Sequence, residues 1–354
     1  MPANSINQLL DHMLQIDASD MHIKVGCPPM FRVHGHLSPG PDMAPLGPED
    51  TRALALSMID QEQRDQFNKE RELDCSYSTD KARFRVNVLL QRGNVGMVIR
   101  VIPIRVKSLA ELGLPQICAD LADKPRGMVL VTGPTGSGKS TTLAAMVNHI
   151  NENESCHIVT IEDPIEFVHQ DKKSILNQRE VGADTMSFGA ALKRVLRQDP
   201  DVILIGELRD IETVGAAITA AETGHLVFAT LHTTSAAQTI DRVIDVFPAH
   251  QQNQVRSQLA TVLEGVISQT LVEKQGGGRA LVMEVLVSTP AIRNLIREGK
   301  IFQIPSAIQS GSAQGMQTLE MHLRDLVRSQ TITRETALAT TSDASALNQL
   351  LGAK

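Results

Sequence analysis

A chain of 354 residues exceeds one average domain and points to about two or three. With 42% hydrophobic and 21% charged residues it can bury a core, which excludes a disordered chain. A net charge of −6 without a long Lys/Arg block, together with no Trp and one Tyr, argues against a protein held on nucleic acid by counterion release and base stacking.

The longest apolar runs, such as 128–132 and 202–206, fall far short of the ~18 residues of a membrane span. The opening MPANSINQLLDHML is polar and acidic where a signal peptide is apolar, so a cytoplasmic protein is expected. Cys27, Cys75, Cys118 and Cys156 are widely spaced, with no C-x-x-C pair, and read as reduced thiols rather than a metal or redox site.

Residues 1–103 read as a small α+β domain. Ile6, Leu9, Leu10, Met13 and Leu14 share one helix face over 4–16, and alternating stretches at 22–25 and 30–34 predict half-buried strands. A Pro/Gly-rich loop at 38–48 leads to a helix over 48–67, opened by Pro48, Glu49 and Asp50. Two antiparallel strands follow at 82–89 and 96–102, the second ended by Pro103, and residues 104–124 read as a linker. From 125 to 285, short apolar runs at 128–131, 157–161, 202–205 and 226–231 alternate with helical patterns at 141–150, 188–197 and 211–221. This alternation predicts a doubly covered parallel α/β sheet. Amphipathic helices fill 286–354.

Residues 133–140, GPTGSGKS, fit G-x-x-x-x-G-K-[ST] between a predicted strand and a predicted helix. Gly133, Pro134, Thr135, Gly136, Ser137 and Gly138 form a loop whose N–H groups can point at phosphates, with the helix N-terminus of Ser140 and Thr141 behind it. Lys139 reaches the β/γ-phosphates and the Ser140 hydroxyl suits Mg²⁺, so the sequence predicts a nucleoside triphosphate site. Glu207 ends a buried strand where open α/β sheets bind ligands, a place for a metal-holding or water-orienting carboxylate. Glu162, Asp163 and Glu166 crowd another strand end, where carboxylates repel unless a cation or a proton-transfer task holds them. His225 and His232 flank a fourth strand. Their odd separation points them to opposite faces of an ideal strand, unless one lies beyond its end.

Together GPTGSGKST, TIEDPIEFVH, QDPDVILIGELRD and TAAETGHLVFATLHT resemble, in order, the Walker A, Asp-box, Walker B and His-box motifs of the bacterial type II/IV secretion ATPase superfamily. AIRNLIRE at 291–298, GMQT at 315–318, SDMH at 19–22 and ARFRVN at 82–87 are similar to its pilus-retraction branch. The resemblance implies a PAS-like N-terminal domain before a RecA-like P-loop core, and a homohexameric ATPase that drives pilus retraction and twitching. It also implies Glu166 as catalytic base, Glu207 as Walker B acid with Ser140 on Mg²⁺, His225 and His232 as the His box, and Arg85 and Arg100 on ATP. The implied partner is an inner-membrane pilus platform protein (PilC-like) at the inner face of the cytoplasmic membrane, with a paralogous retraction ATPase as a second. Rivals are an accessory retraction paralogue, a pilus-assembly or type II secretion ATPase, and a RecA-like DNA motor. The second lacks its usual four-cysteine zinc site here, and the acidic balance disfavours the third.

Overall fold

The computed structural model describes residues 5–33, 35–102 and 105–352, so His34 and Pro103, both used in the strand predictions, lie outside the described residues. The chain divides into two compact units, Met1–Arg105 with Glu166–Val168, and Val106–Ile165 with His169–Lys354.

In the first unit, strands β1 (Asp20–Ile23), β2 (Met30–Val33), β3 (His36–Pro39), β4 (Glu72–Ser78), β5 (Arg83–Gln91) and β6 (Asn94–Ile102) form an antiparallel sheet in the order β3-β2-β1-β6-β5-β4. Helix Ile6–Gln15 starts with a capping box between Ser5 and Gln8 and buries Ile6, Leu9, Leu10 and Met13 in one core with Phe31, Phe84 and Ile99. Arg92 and Gly93, both at positive φ, close the two-residue β5–β6 hairpin. Three expectations change here. The helix expected over 48–67 is two, Pro48–Leu56 and Gln61–Glu70, because Asp60 accepts from the Gln63 N–H and starts a new helix with its own capping box. The loop expected at 38–48 is entered by β3, and β4, whose Leu73 and Cys75 are buried, was not predicted.

In the second unit, β7 (Gly127–Thr132), β8 (His157–Glu162), β9 (Ile175–Glu180), β10 (Val202–Ile205), β11 (Leu226–Leu231), β12 (Leu263–Glu273) and β13 (Arg279–Val287) form a sheet in the order β13-β12-β7-β11-β10-β8-β9. All neighbours run parallel except β13 against β12. Alternate residues feed two cores, one side taking Met128, Leu130 and Ile203, the other Val129, Val131 and Leu204. Burial on both faces explains why β7, β8, β10 and β11 are continuous apolar runs.

Residues 104–124, expected as a linker, contain the helix Ile117–Ala122, whose Cys118, Leu121 and Ala122 are buried with Leu143 and Met146. The hairpin β12–β13 was also not predicted. Leu263 both caps the preceding helix, Ala249–Val262, and begins β12, so no Gly, Pro or polar break separates them. The C-terminal region is helical, and its last helices bury Ala337 and Leu347 with Val272, Val282 and Leu323. The four cysteines are free thiols, and burial pushes the Cys118 thiol up to about 12. Among the described residues no helix is long and apolar enough to cross a membrane.

Candidate active site

The carboxyl ends of β7, β8, β10 and β11 carry most of the chemistry. At the end of β7 the chain turns through Gly133 at φ +142°, where a Cβ would stand 2.1 Å from the Gln269 carbonyl oxygen. Only glycine fits. Gly136 and Gly138 also take positive φ, and Gly138 caps helix Lys139–Asn153 without a side-chain hydrogen bond. The first N–H groups of that helix, which have no intrahelical acceptor, are thereby left to an anion. The Lys139 ammonium donates to the carbonyls of Gly133 at 2.8 Å and Pro134 at 3.1 Å, folded back into the loop that an incoming phosphate would fill. Gln269 of β12 braces the loop by donating to the Ser137 carbonyl at 2.8 Å, while the buried Ser137 hydroxyl and Gln269 Oε1 have no hydrogen-bond partner. A phosphate oxygen and its waters fit such a loop, and the hydroxyl of Ser140, in the first turn of the helix, fits a magnesium ligand.

Beyond β10, Gly206 packs so closely on β8 that a Cβ would lie 3.3 Å from the Glu162 Cα, and the next residue is Glu207. One Glu207 oxygen meets Arg209 Nη2 at 2.6 Å and the other His232 Nε2 at 3.3 Å. Burial pushes this carboxyl up, but the hydrogen bond and charge of Arg209, joined by those of His232, outweigh it. They hold the group below the usual carboxylate range. Thr230 of β11 donates to the Gly206 carbonyl, and the Leu208 N–H donates to the Thr230 carbonyl at 3.0 Å, so the ends of β10 and β11 are tied where Glu207 and His232 meet.

The acidic cluster after β8 is dispersed rather than shared. Glu162 Oε1 accepts from the Thr160 hydroxyl at 2.7 Å and from Gln178 Nε2 at 3.3 Å, whereas Asp163 and Glu166 are exposed. His225 does not join the site. It precedes β11, its Nδ1 facing the Ala220 carbonyl at 2.8 Å, and its own carbonyl accepts the Gly127 N–H at the start of β7. One strand length, roughly 20 Å, separates it from His232. Both histidines lie just beyond the strand, at opposite ends of it.

In the first unit Arg85 and Arg100 are directly opposed partners of β5 and β6, so they share one face. Two like charges in that position destabilise a sheet unless countered. Arg100 is countered by Asp20, at 2.7 Å. Burial pushes Asp20 up, but the Ser19 hydroxyl and Arg100 outweigh it and keep it ionised, leaving two guanidinium groups side by side.

A cavity of about 320 Å³ opens beside Gly138, Thr141 and Thr142. Its walls include the apolar side chains of Leu112, Leu271 and Leu281 and the polar ones of Lys274, Arg279 and His322. His322 Nδ1 accepts from the Met283 N–H at 3.1 Å, which places the proton of the neutral ring on Nε2. The volume and lining suit a small organic group next to the phosphate loop. Gly138 and Thr141 were expected at the site, whereas Leu112, Leu271, Lys274, Arg279, Leu281 and His322 were not legible, because they come from the unpredicted hairpin, the supposed linker and a C-terminal helix.

The family model described as "Type II/IV secretion system protein" matches residues 2–276. The chain is 53% identical over 333 residues to the "Type IV pilus retractation ATPase PilT" of Pseudomonas aeruginosa, covering 94% of this chain and 96% of that protein. It is 53% identical over 313 residues to a "Twitching motility protein" of Neisseria gonorrhoeae, covering 88% and 83%. Among solved structures, "Crystal Structure of the Pilus Retraction Motor PilT and Bound ADP" matches with a TM-score of 0.92 and 46% identity, covering 98% of this chain and 99% of that one.

Proposed function

The chain belongs to the type II/IV secretion system protein family, and from that membership we propose that it is the ATPase motor of type IV pilus retraction, which underlies twitching motility. The observation that carries this reading is the glycine-rich P-loop with Lys139 at the end of β7, beside a Glu207 carboxylate held below its usual range at the end of β10 in the same sheet. A P-loop and a charged strand-end carboxylate are what a nucleotide-hydrolysing centre requires, and the 53% identity to a retraction ATPase supports the machine it would drive.

The proposed reaction is hydrolysis of ATP to ADP and phosphate. Lys139 exchanges the Gly133 and Pro134 carbonyls for phosphate oxygens, a charge-assisted contact stronger than the one it leaves. The N–H groups of 133–141 surround the phosphates, and the cavity beside Thr141 receives the nucleoside. Glu166 accepts the proton of the attacking water. Ser140 and Glu207 would hold Mg²⁺, which neutralises charge on the phosphates when bound. His232, hydrogen-bonded to Glu207, orients that carboxylate. Arg85 and Arg100 supply guanidinium groups to the nucleotide, and ring closure into a hexamer with a membrane platform protein as load is the corresponding assembly. His225, remote from the P-loop within the chain, is assigned to the His box by motif position alone.

Phosphate release by purified Glu166→Gln tests the reaction. We expect ATP binding to be retained and turnover to fall by about 1000-fold, the scale of general-base loss combined with a misoriented water. Turnover near that of the unmodified protein would move the base elsewhere.

A further inference from the structure

Strand β9 carries none of the motifs, yet it grips the loop that bears Glu166. Gln178 spans the loop's two ends. Its Oε1 accepts the His169 N–H at 2.8 Å, and its Nε2 donates to the Glu162 carboxylate at 3.3 Å. Two residues on, and therefore on the same face of the strand, the buried Glu180 accepts the Ile165 N–H at 3.1 Å. The parallel register sets Gln178 beside Thr160 and Glu180 beside Glu162, so both side chains reach the end of β8 where the loop departs. Asp184 in turn accepts the Glu180 N–H at 2.8 Å, fixing the end of β9 itself.

We propose that Gln178 and Glu180 are positioning residues for ATP hydrolysis, clamping the chain on both sides of Glu166 and so setting where its carboxylate stands. The inference rests on the assignment of Glu166 as the base. Glu166 follows one clamped amide, Ile165, directly and precedes the other, His169, by three residues. A base works only within hydrogen-bond reach of its water, and a misplacement of about 1 Å costs on the order of 100-fold in rate. An amide and a carboxylate aimed at loop N–H groups hold such a position better than apolar contact does, because hydrogen bonds fix direction as well as distance.

Gln178→Leu, Glu180→Leu and Glu180→Gln in the full chain test this, with kcat, KM for ATP, nucleotide affinity and amide hydrogen exchange over 163–170 as readouts. Both leucine variants should lower kcat by about 100-fold, leave nucleotide affinity within about twofold and speed exchange at Ile165 or His169. Glu180→Gln, which keeps an oxygen acceptor for Ile165, should retain most of the rate. In a Glu166→Gln background, Gln178→Leu should cost nothing further, since it acts through the residue already removed. A kcat within about twofold of the unmodified protein in Gln178→Leu, or an equal further loss in the Glu166→Gln background, overturns the positioning role. Undiminished turnover of Glu166→Gln alone instead overturns the base assignment on which the role depends.

Discussion

Glu207 and His232 come from the ends of adjacent parallel strands and meet at 3.3 Å, with Arg209 on the carboxylate's other oxygen at 2.6 Å. The net effect of these partners holds Glu207 below the usual carboxylate range and favours its charged form. An amide in its place keeps the shape and loses the charge. Glu207→Gln should bind nucleotide normally and hydrolyse it about 100- to 1000-fold more slowly, measured as steady-state phosphate release.

Lys139 rests on two carbonyls of its own loop, an arrangement that a phosphate can replace. Lys139→Ala removes the loop's only ammonium group and should weaken ATP binding by about 100-fold or more, seen in a fluorescent-nucleotide titration. Unchanged affinity would remove the P-loop assignment.

The glycines of the loop are unequal. A Cβ at Gly133 would strike the Gln269 carbonyl, whereas one at Gly136 meets nothing within 4 Å and suffers only its φ of +78°. Gly136→Ala should lose about 1–2 kcal/mol of stability. Gly133→Ala should lose more than that and abolish nucleotide binding, because β7, β12 or the loop must shift. Thermal unfolding beside a nucleotide titration distinguishes the two.

His169 predicts a pH effect on stability. Burial, helped by the Lys172 charge, pushes its imidazole down to about 4 from the ordinary 6.5. Between those values the unfolded chain binds the proton and the folded chain does not, so stability falls as pH drops from 6.5 towards 4. The contribution is at most about 3 kcal/mol. His169→Gln should lose less stability than the unmodified chain between pH 7 and pH 5 in urea titrations. Parallel losses in the two proteins would exclude this origin.

How much of this could be read from the sequence followed the physics of each segment. The strands β7, β8, β10 and β11 were legible because burial on both faces makes them short continuous apolar runs, and the P-loop because its glycines have one structural purpose. Helix Pro290–Arg297 falls where amphipathic helices were expected, with Pro290 in its first turn. What failed was what lacks local punctuation. β12 follows a helix with no breaker at Leu263, and β9 is a mostly polar edge strand, so Gln178 and Glu180 gave no signal. The pairing of Arg85 with Arg100 depends on strand register, and the separation of His225 from His232 depends on where β11 begins and ends.

The most direct test of the motor assignment is the number of surface pili per cell when Glu207→Gln replaces the unmodified protein in its native host. Excess, unretracted pili and lost twitching are expected, because nucleotide still binds while hydrolysis fails. Cells without pili would contradict it and mark the chain as an assembly ATPase instead.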